Sequence, residues 1–188
     1  ITRRLWHAVS APGLHLECAA GVGSLSISLA RLGHTVVSAD LSLRSLHVIT
    51  QRAASATLRL SVMPVVADIT RLPFTDATFA SATSAETLEH IPDDRAAVRN
   101  LARVLAPGGW LVGTVPADPK QWSDWDDWGG HLRRYRKPEM AELLRGAGLE
   151  PAGDRGGYFR HRQRGQHGSY HQRRRRRDHR CGSRPSPR

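Results

Sequence analysis

The chain reads as an α/β protein: a doubly wound, mainly parallel sheet with helices on both faces. Two observations predict this. Strand-sized apolar runs alternate with segments whose apolar residues recur at helical spacing, and the turn after the first run is built from small residues. Alternation at this pitch implies βαβ units with right-handed crossovers. Such sheets bind ligands beyond the carboxyl ends of their strands, so the residues just after each strand carry the functional expectation.

The elements follow in order. Gly13–Cys18 (GLHLEC) is the first predicted strand. Ser24–Leu32 is a helix, with Leu25, Ser28, Leu29 and Leu32 on one face and Gly33 as its stop. His34–Ala39 is a β-branched second strand, and Ser42–Ala54 a helix with Leu43, Leu46, Thr50 and Ala53 on one face. Val62–Ala67 is the third strand. Pro64 places it at a sheet edge, because proline has no N–H for a ladder.

Phe79–Ser84 is the fourth strand. A helix capped by Asp93 or Asp94 follows, with Val98, Leu101, Ala102 and Leu105 as its apolar stripe and Pro107-Gly108-Gly109 as its end. Trp110–Val115 is the fifth strand. The last helix opens near Pro138, buries Met140, Leu143, Leu144 and Ala147, and stops at Gly148.

The 188 residues suffice for one domain with a single core. The net charge of +11 is confined to one end. Residues 1–154 hold 16 basic and 16 acidic side chains, whereas residues 155–188 hold 12 arginines and only Asp178. The body is therefore neutral and gives no electrostatic reason for a nucleic-acid partner. The tail is rich in Arg, His, Gln, Gly and Ser without apolar period, and is expected to be disordered. Its abrupt composition suggests a coding sequence read out of frame. The chain does not begin with Met, which suggests a fragment.

No apolar stretch reaches the roughly 20 residues of a spanning helix, and Ile1–Leu5 lacks the apolar region of a secretory leader. Cys18 and Cys181 fall in a core strand and a polar tail, a pattern expected of a reducing cytoplasm rather than of a disulfide. No Cys/His cluster has zinc-ligand spacing, and no metal site is expected.

The chemistry-bearing residues gather at strand ends. The first strand runs into Glu17-Cys18-Ala19-Ala20-Gly21-Val22-Gly23, where small residues let a ligand approach the backbone and the N–H groups of the next helix. Asp40 ends the second strand, placed to accept from ribose hydroxyls or merely to open the next helix. Asp68 ends the third strand, where an Asx turn is the plainer reading. Three acids at three successive strand ends converge on one crevice.

The order Glu17-x-x-x-Gly21-x-Gly23, Asp40, Asp68-Ile-x-x-Leu-Pro-Phe74, Glu86-x-Leu-Glu-His90-Ile, and Leu101-x-Arg-Val-Leu-x-Pro-Gly-Gly109 resembles class I S-adenosylmethionine (SAM)-dependent methyltransferases. So does Gly130-His131-Leu132-Arg133-Arg134-Tyr135 with Glu139-x-x-x-Leu143-Leu144-x-x-Ala147-Gly148. The resemblance is strongest to the small-molecule, ubiquinone/menaquinone-type branch and covers about residues 13–150. It implies a Rossmann-like fold, SAM as cofactor and a small-molecule methyl acceptor. Glu17 and the turn with Ala19, Gly21 and Gly23 would hold the methionine part. Asp40 would take the ribose hydroxyls, with Leu41 against the adenine. Asp68 and the Ile69 N–H would meet the adenine, and Ser84 and Ala85 the methionine side. His90 and His131 are the candidate bases, then Glu86. Each of the three also fits a cap, a surface group or a loop pin.

Trp122, Trp125 and Trp128 read equally as an aromatic lid over the acceptor or as a small satellite core. Arg133, Arg134 and Arg136 read as anion binders or, more commonly for such a run, as a solvated or Asp-paired face. Four features depart from the family pattern. Ala19 stands at a glycine position, Ala80 replaces an acid, and Ser81-Ala82-Thr83 is polar for a central strand. Leu149–Phe159 offers at most one of the two final strands, which would leave the fifth strand's edge open.

Three other readings compete. An NAD-type oxidoreductase shares the turn and Asp40 but lacks a clean G-x-G-x-x-G, since Ser26 holds the third position. A nucleic-acid-binding protein would use the Arg173–Arg177 run. A non-catalytic methyltransferase remnant would fold in part.

Overall fold

Strand β1 (Leu14–Cys18) lies inside a seven-stranded sheet with β2 (Thr35–Asp40), β3 (Val62–Val66), β4 (Phe79–Ala85), β5 (Leu105–Thr114), β6 (Leu149–Pro151) and β7 (Tyr158–His161), in the order β3-β2-β1-β4-β5-β7-β6. This computed structural model describes residues 13–151 and 158–161. The first five strands in that order are parallel, and β7 runs antiparallel to both of its neighbours. Pro64 sits in β3 at the sheet edge, as its missing N–H demands.

The helices α1 (Ser24–Ala30), α2 (Leu43–Ser55), α3 (Asp94–Val104), α4 (Asp124–Gly129) and α5 (Lys137–Gly146) complete the layers. Alternate residues of β1 divide the core. Leu14, Leu16 and Cys18 pack with Val98 and Leu101 of α3 and Leu144 of α5. On the other face, Ile27 and Ala30 of α1 pack with Leu46, Ile49 and Ala53 of α2. Two helix starts match expectation. Ser42 accepts from the Ser45 N–H at 3.2 Å and Asp93 from the Ala96 N–H at 2.8 Å, each cap contributing about 1 kcal/mol.

The polar central strand has a partner that sequence reasoning passes over. His15, fully buried on β1, bonds Ser81 Oγ at 2.8 Å through Nδ1 and Thr83 Oγ1 at 3.1 Å through Nε2. The hydroxyls of β4 thus satisfy a buried imidazole. Burial, reinforced by His34, pushes the His15 pKa down to about 3, so the ring is neutral.

Several expectations are corrected. The first helix ends at Ala30 rather than Leu32. Leu105 closes no helix but begins β5, which starts five residues before Trp110. The register slips between Phe79, paired with Leu105, and Ser81, paired with Trp110, and this slip absorbs Pro107-Gly108-Gly109. Gly109 is needed there, since a Cβ would lie 2.8 Å from the Ala106 carbonyl oxygen.

The C-terminal strands are present, contrary to the expectation of at most one between Leu149 and Phe159. They are short, three residues in β6 and four in β7. Antiparallel pairing lets β7 cover the β5 edge that was expected to be open. Residues 158–161 of the predicted disordered tail are therefore strand. The rest of that tail, including Arg173–Arg177, lies outside the described residues. Among the described residues, no helix is long and apolar enough to cross a membrane.

Candidate functional site

The carboxyl ends of β3, β2, β1 and β4 form one continuous edge. Cys18 pairs with both Ala39 and Ser84, and Asp40 pairs with Val66. At the end of β1 the chain turns through three left-handed residues: Ala19 (φ 54°), Gly21 (53°) and Gly23 (71°). Gly23 meets α1 against α2 so closely that a Cβ would lie 2.6 Å from Ile49 Cγ1. Ala19 adopts the conformation normally left to glycine at a cost of about 1 kcal/mol, with its methyl group exposed.

Each predicted carboxylate of this edge is held by the chain itself. Ser26 Oγ on α1 donates to Glu17 Oε2 and also bonds Ser38 Oγ on β2 at 2.6 Å. Burial pushes the Glu17 carboxyl above its ordinary range, Ser26 opposes this, and the nearby Asp40 charge adds to the rise. Asp40 accepts the Gly21 N–H through Oδ2 and the Ser42 N–H through Oδ1, both at 2.8 Å. One carboxylate therefore fixes the turn after β1 to the start of α2. Asp68 accepts from the Thr70 hydroxyl and N–H at 2.7 and 2.8 Å, which hold its carboxyl below the usual range. This is the Asx-type start of the 3-10 turn Ile69–Arg71. Ile69 is buried, whereas Leu41 is 66% exposed beside Asp40.

Ser84 is placed differently from the acids. Its hydroxyl is buried without a hydrogen-bond partner among the described residues, and the residue lines a cavity of about 520 Å³. The walls include Leu111 and Gly113 of β5, Met140 and Leu144 of α5, and Tyr135. The cavity is mostly apolar and opens on the α3/α5 side of the sheet. Ala85, next in the chain, is exposed. Cys18 is buried, which pushes its thiol pKa up and leaves it a packing residue.

Beyond β4 the chain passes through Glu86 (φ 47°) into the 3-10 turn Leu88–His90. Glu86 and His90 thus precede α3 and do not cap it. The loop after α4 folds back onto this turn. The Leu132 N–H donates to the Glu89 carbonyl at 2.8 Å, and Tyr135 OH donates to the Leu88 carbonyl at 3.1 Å. His90 and His131, 41 positions apart, are thereby brought edge to face with ring centroids 4.8 Å apart. His90 Nδ1 lies 3.3 Å from the Gly130 carbonyl, and His131 Nδ1 lies 2.8 Å from Asp126 Oδ1. Sequence reasoning singles out both histidines but passes over Glu89 beside them. Glu89 is fully buried, and among the described residues neither carboxylate oxygen has a hydrogen-bond partner on another residue. Its adjacency to His90 was the available signal, but burial is not readable from that adjacency.

Asp126 is a second residue that sequence reasoning missed. It is buried, and Arg134 Nε and Nη2 grip its two oxygens at 2.7 and 2.8 Å. That fork, with the His131 ring and Ser123, holds its carboxyl far below the usual range. Arg133 pairs with Asp94 at 2.8 Å and Arg136 with Glu139 at 2.9 Å, so all three arginines belong to an acid-paired face. Trp125 and Trp128 are 75% and 83% exposed and meet each other edge to face, with ring centroids 5.7 Å apart. Trp122 is also exposed and donates to Asp127 Oδ1 at 3.2 Å. The three indoles form no satellite core.

Known proteins resemble this arrangement. The chain is 40% identical over 97 residues to a demethylmenaquinone methyltransferase of Mycolicibacterium paratuberculosis, covering 52% of this chain and 39% of that one. It is 35% identical over 115 residues to the methyltransferase GfsG of Streptomyces halstedii, covering 60% and 41%. The chain thus spans about two fifths of the length of these curated relatives. A solved SAM-dependent methyltransferase from Methanosarcina mazei superposes with a TM-score of 0.71 at 16% identity, covering 87% of this chain and 99% of that one, a likeness of fold alone. The methyltransferase domain profile matches residues 16–113, more than half of the chain, and the protein belongs to that family.

Proposed function

We propose that the protein binds SAM along the β1–β3 edge and transfers its methyl group to a small-molecule acceptor approaching from the β4–β5 side. One observation carries this reading: Glu17, the 19–23 turn, Asp40 and Asp68 stand on adjoining strand ends with Asp40 bonded to the turn itself. Glu17 and the turn hold the methionine part, Asp40 takes the ribose hydroxyls with Leu41 on the adenine, and Asp68 and Ile69 read the adenine edge. The family membership supports these roles.

SAM brings an activated sulfonium, so the protein contributes alignment and exclusion of water. The attacking atom of the acceptor forms a bond to the methyl carbon as the carbon–sulfur bond breaks, leaving a neutral thioether. A base is needed only if the acceptor must lose a proton. His90 and His131, whose rings meet edge to face beyond β4, are the candidate bases for such a proton. The apolar cavity beside Ser84 is of a size for a small organic acceptor.

Calorimetry of the full chain with SAM tests the proposal. Binding in the micromolar range that NAD cannot displace supports it. No binding of SAM at millimolar concentration, by a chain whose circular dichroism shows it folded, overturns it.

A further inference from the structure

We propose that Glu89, His90 and His131 form a binding site for a divalent transition-metal cation. The inference rests on the reading of the β4–β5 side as the acceptor side, and it gives the two histidines a task other than that of free bases. It departs from the expectation, drawn from ligand spacing alone, that the chain holds no metal.

Ligand atoms from these three residues lie within 4.8 Å of one another. Tetrahedral ligands about 2.0 Å from a zinc ion stand about 3.3 Å apart, so small side-chain rotations close the set. The ring orientations are already those of ligands. In each histidine Nδ1 faces an acceptor, the Gly130 carbonyl for His90 and Asp126 Oδ1 for His131. Donation from Nδ1 leaves the Nε2 lone pair free on both rings. His90 Nε2 stands 3.8 Å from Glu89 Oε1, too far for a hydrogen bond. A Cβ at Gly129 would lie 3.3 Å from His131 Nε2, so the glycine keeps that nitrogen uncrowded.

Glu89 supplies the independent observation. A fully buried carboxylate with no donor from another residue is costly, and a native structure that keeps one needs a partner for it. A cation is the partner that satisfies both oxygens and both free imidazole nitrogens at once.

The outer contacts fit the same purpose. Arg134 holds Asp126, Asp126 holds the His131 ring, and the Leu132–Glu89 backbone bond ties the loop to the turn. A carboxylate behind a ligating histidine fixes its tautomer and raises its basicity. Two imidazoles with one carboxylate favour zinc or a neighbouring first-row ion over magnesium or calcium, which prefer oxygen ligands. Three protein ligands leave positions open for water or for an oxygen of the acceptor, which the ion would orient.

The test titrates the metal-stripped full chain with cobalt(II), read by visible absorption and calorimetry, with zinc as competitor. One zinc-displaceable equivalent is expected, weakened at least about 10-fold in Glu89→Gln and in His131→Ala. His47→Ala, at an exposed histidine elsewhere, should leave it unchanged. If Glu89→Gln fails to fold, His90→Ala decides, because that ring is 38% exposed. Cobalt binding that is absent, or equal in wild type and all ligand variants, overturns the proposal. Equal binding would assign the metal to other histidines. SAM calorimetry in chelator separates the two readings. SAM binding without a cobalt site ends only the metal inference, and a cobalt site without SAM binding ends the cofactor reading.

Discussion

The two ends of the strand edge handle buried charge in opposite ways. At β1–β3, Glu17, Asp40 and Asp68 each accept from a donor within the chain: Ser26, the Gly21 and Ser42 N–H groups, and Thr70. Beyond β4, Glu89 is more deeply buried than any of them and has no such donor among the described residues. The first end is pre-organised by its own hydrogen bonds, as the proposed cofactor site requires. At the second, no donor among the described residues reaches the carboxylate, and the proposed metal ion would stand there. A satisfied polar cluster is a self-sufficient scaffold, whereas a buried carboxylate without a donor calls for a physical explanation.

This contrast can be attacked by mutation. Gly23→Ala should do the most damage, since its Cβ would enter Ile49 at a left-handed backbone position; a loss of about 3 kcal/mol in urea unfolding is expected. A loss below about 1 kcal/mol would mean the turn is looser than its bonds suggest. Asp40→Ala strands two backbone donors and should weaken SAM by about 1–3 kcal/mol, with some loss of stability. Unchanged affinity would remove Asp40 from the site.

Glu89→Met should act in the reverse direction. It removes the unpartnered carboxylate at similar volume, so the metal-free protein should gain about 1 kcal/mol. The gain has a pH signature. Burial raises the folded-state pKa of Glu89, so wild-type stability declines as pH rises from the unfolded value, about 4.3, through the folded one. The variant should lack that decline, and a variant that loses stability at neutral pH would falsify the account of Glu89.

His15 gives the opposite pH dependence. Its depressed pKa means that the unfolded chain takes up a proton first, so stability falls as pH drops from 6.5 toward about 3. His15→Gln should flatten the dependence of the denaturation midpoint on pH by about 1 kcal/mol per pH unit in that window. Parallel curves for variant and wild type would show that the ring is not held neutral.

Much of this was legible in the residues. Hydrophobic period placed five parallel strands and their helices, Pro64 put β3 at the edge, and the three acids fell on adjoining strand ends. The misreadings share a cause. Pro107-Gly108-Gly109 signals a helix stop, but the chain uses it within a strand whose register slips. The residues of β7 carry no apolar alternation, and only pairing with β5 and β6 makes them a strand. The polarity of β4 looked like a defect until His15 stood opposite Ser81 and Thr83.

By itself, the sequence determined the layered architecture, the glycine turn and the acids at the strand ends, because these depend on local period and on residues a few positions apart. Tertiary structure alone decided which carboxylates are satisfied, that the β5 edge is covered, and that His131 meets Glu89 and His90 across 41 positions. Burial and hydrogen-bond partnership are set by contacts between distant segments, and no local spacing encodes them.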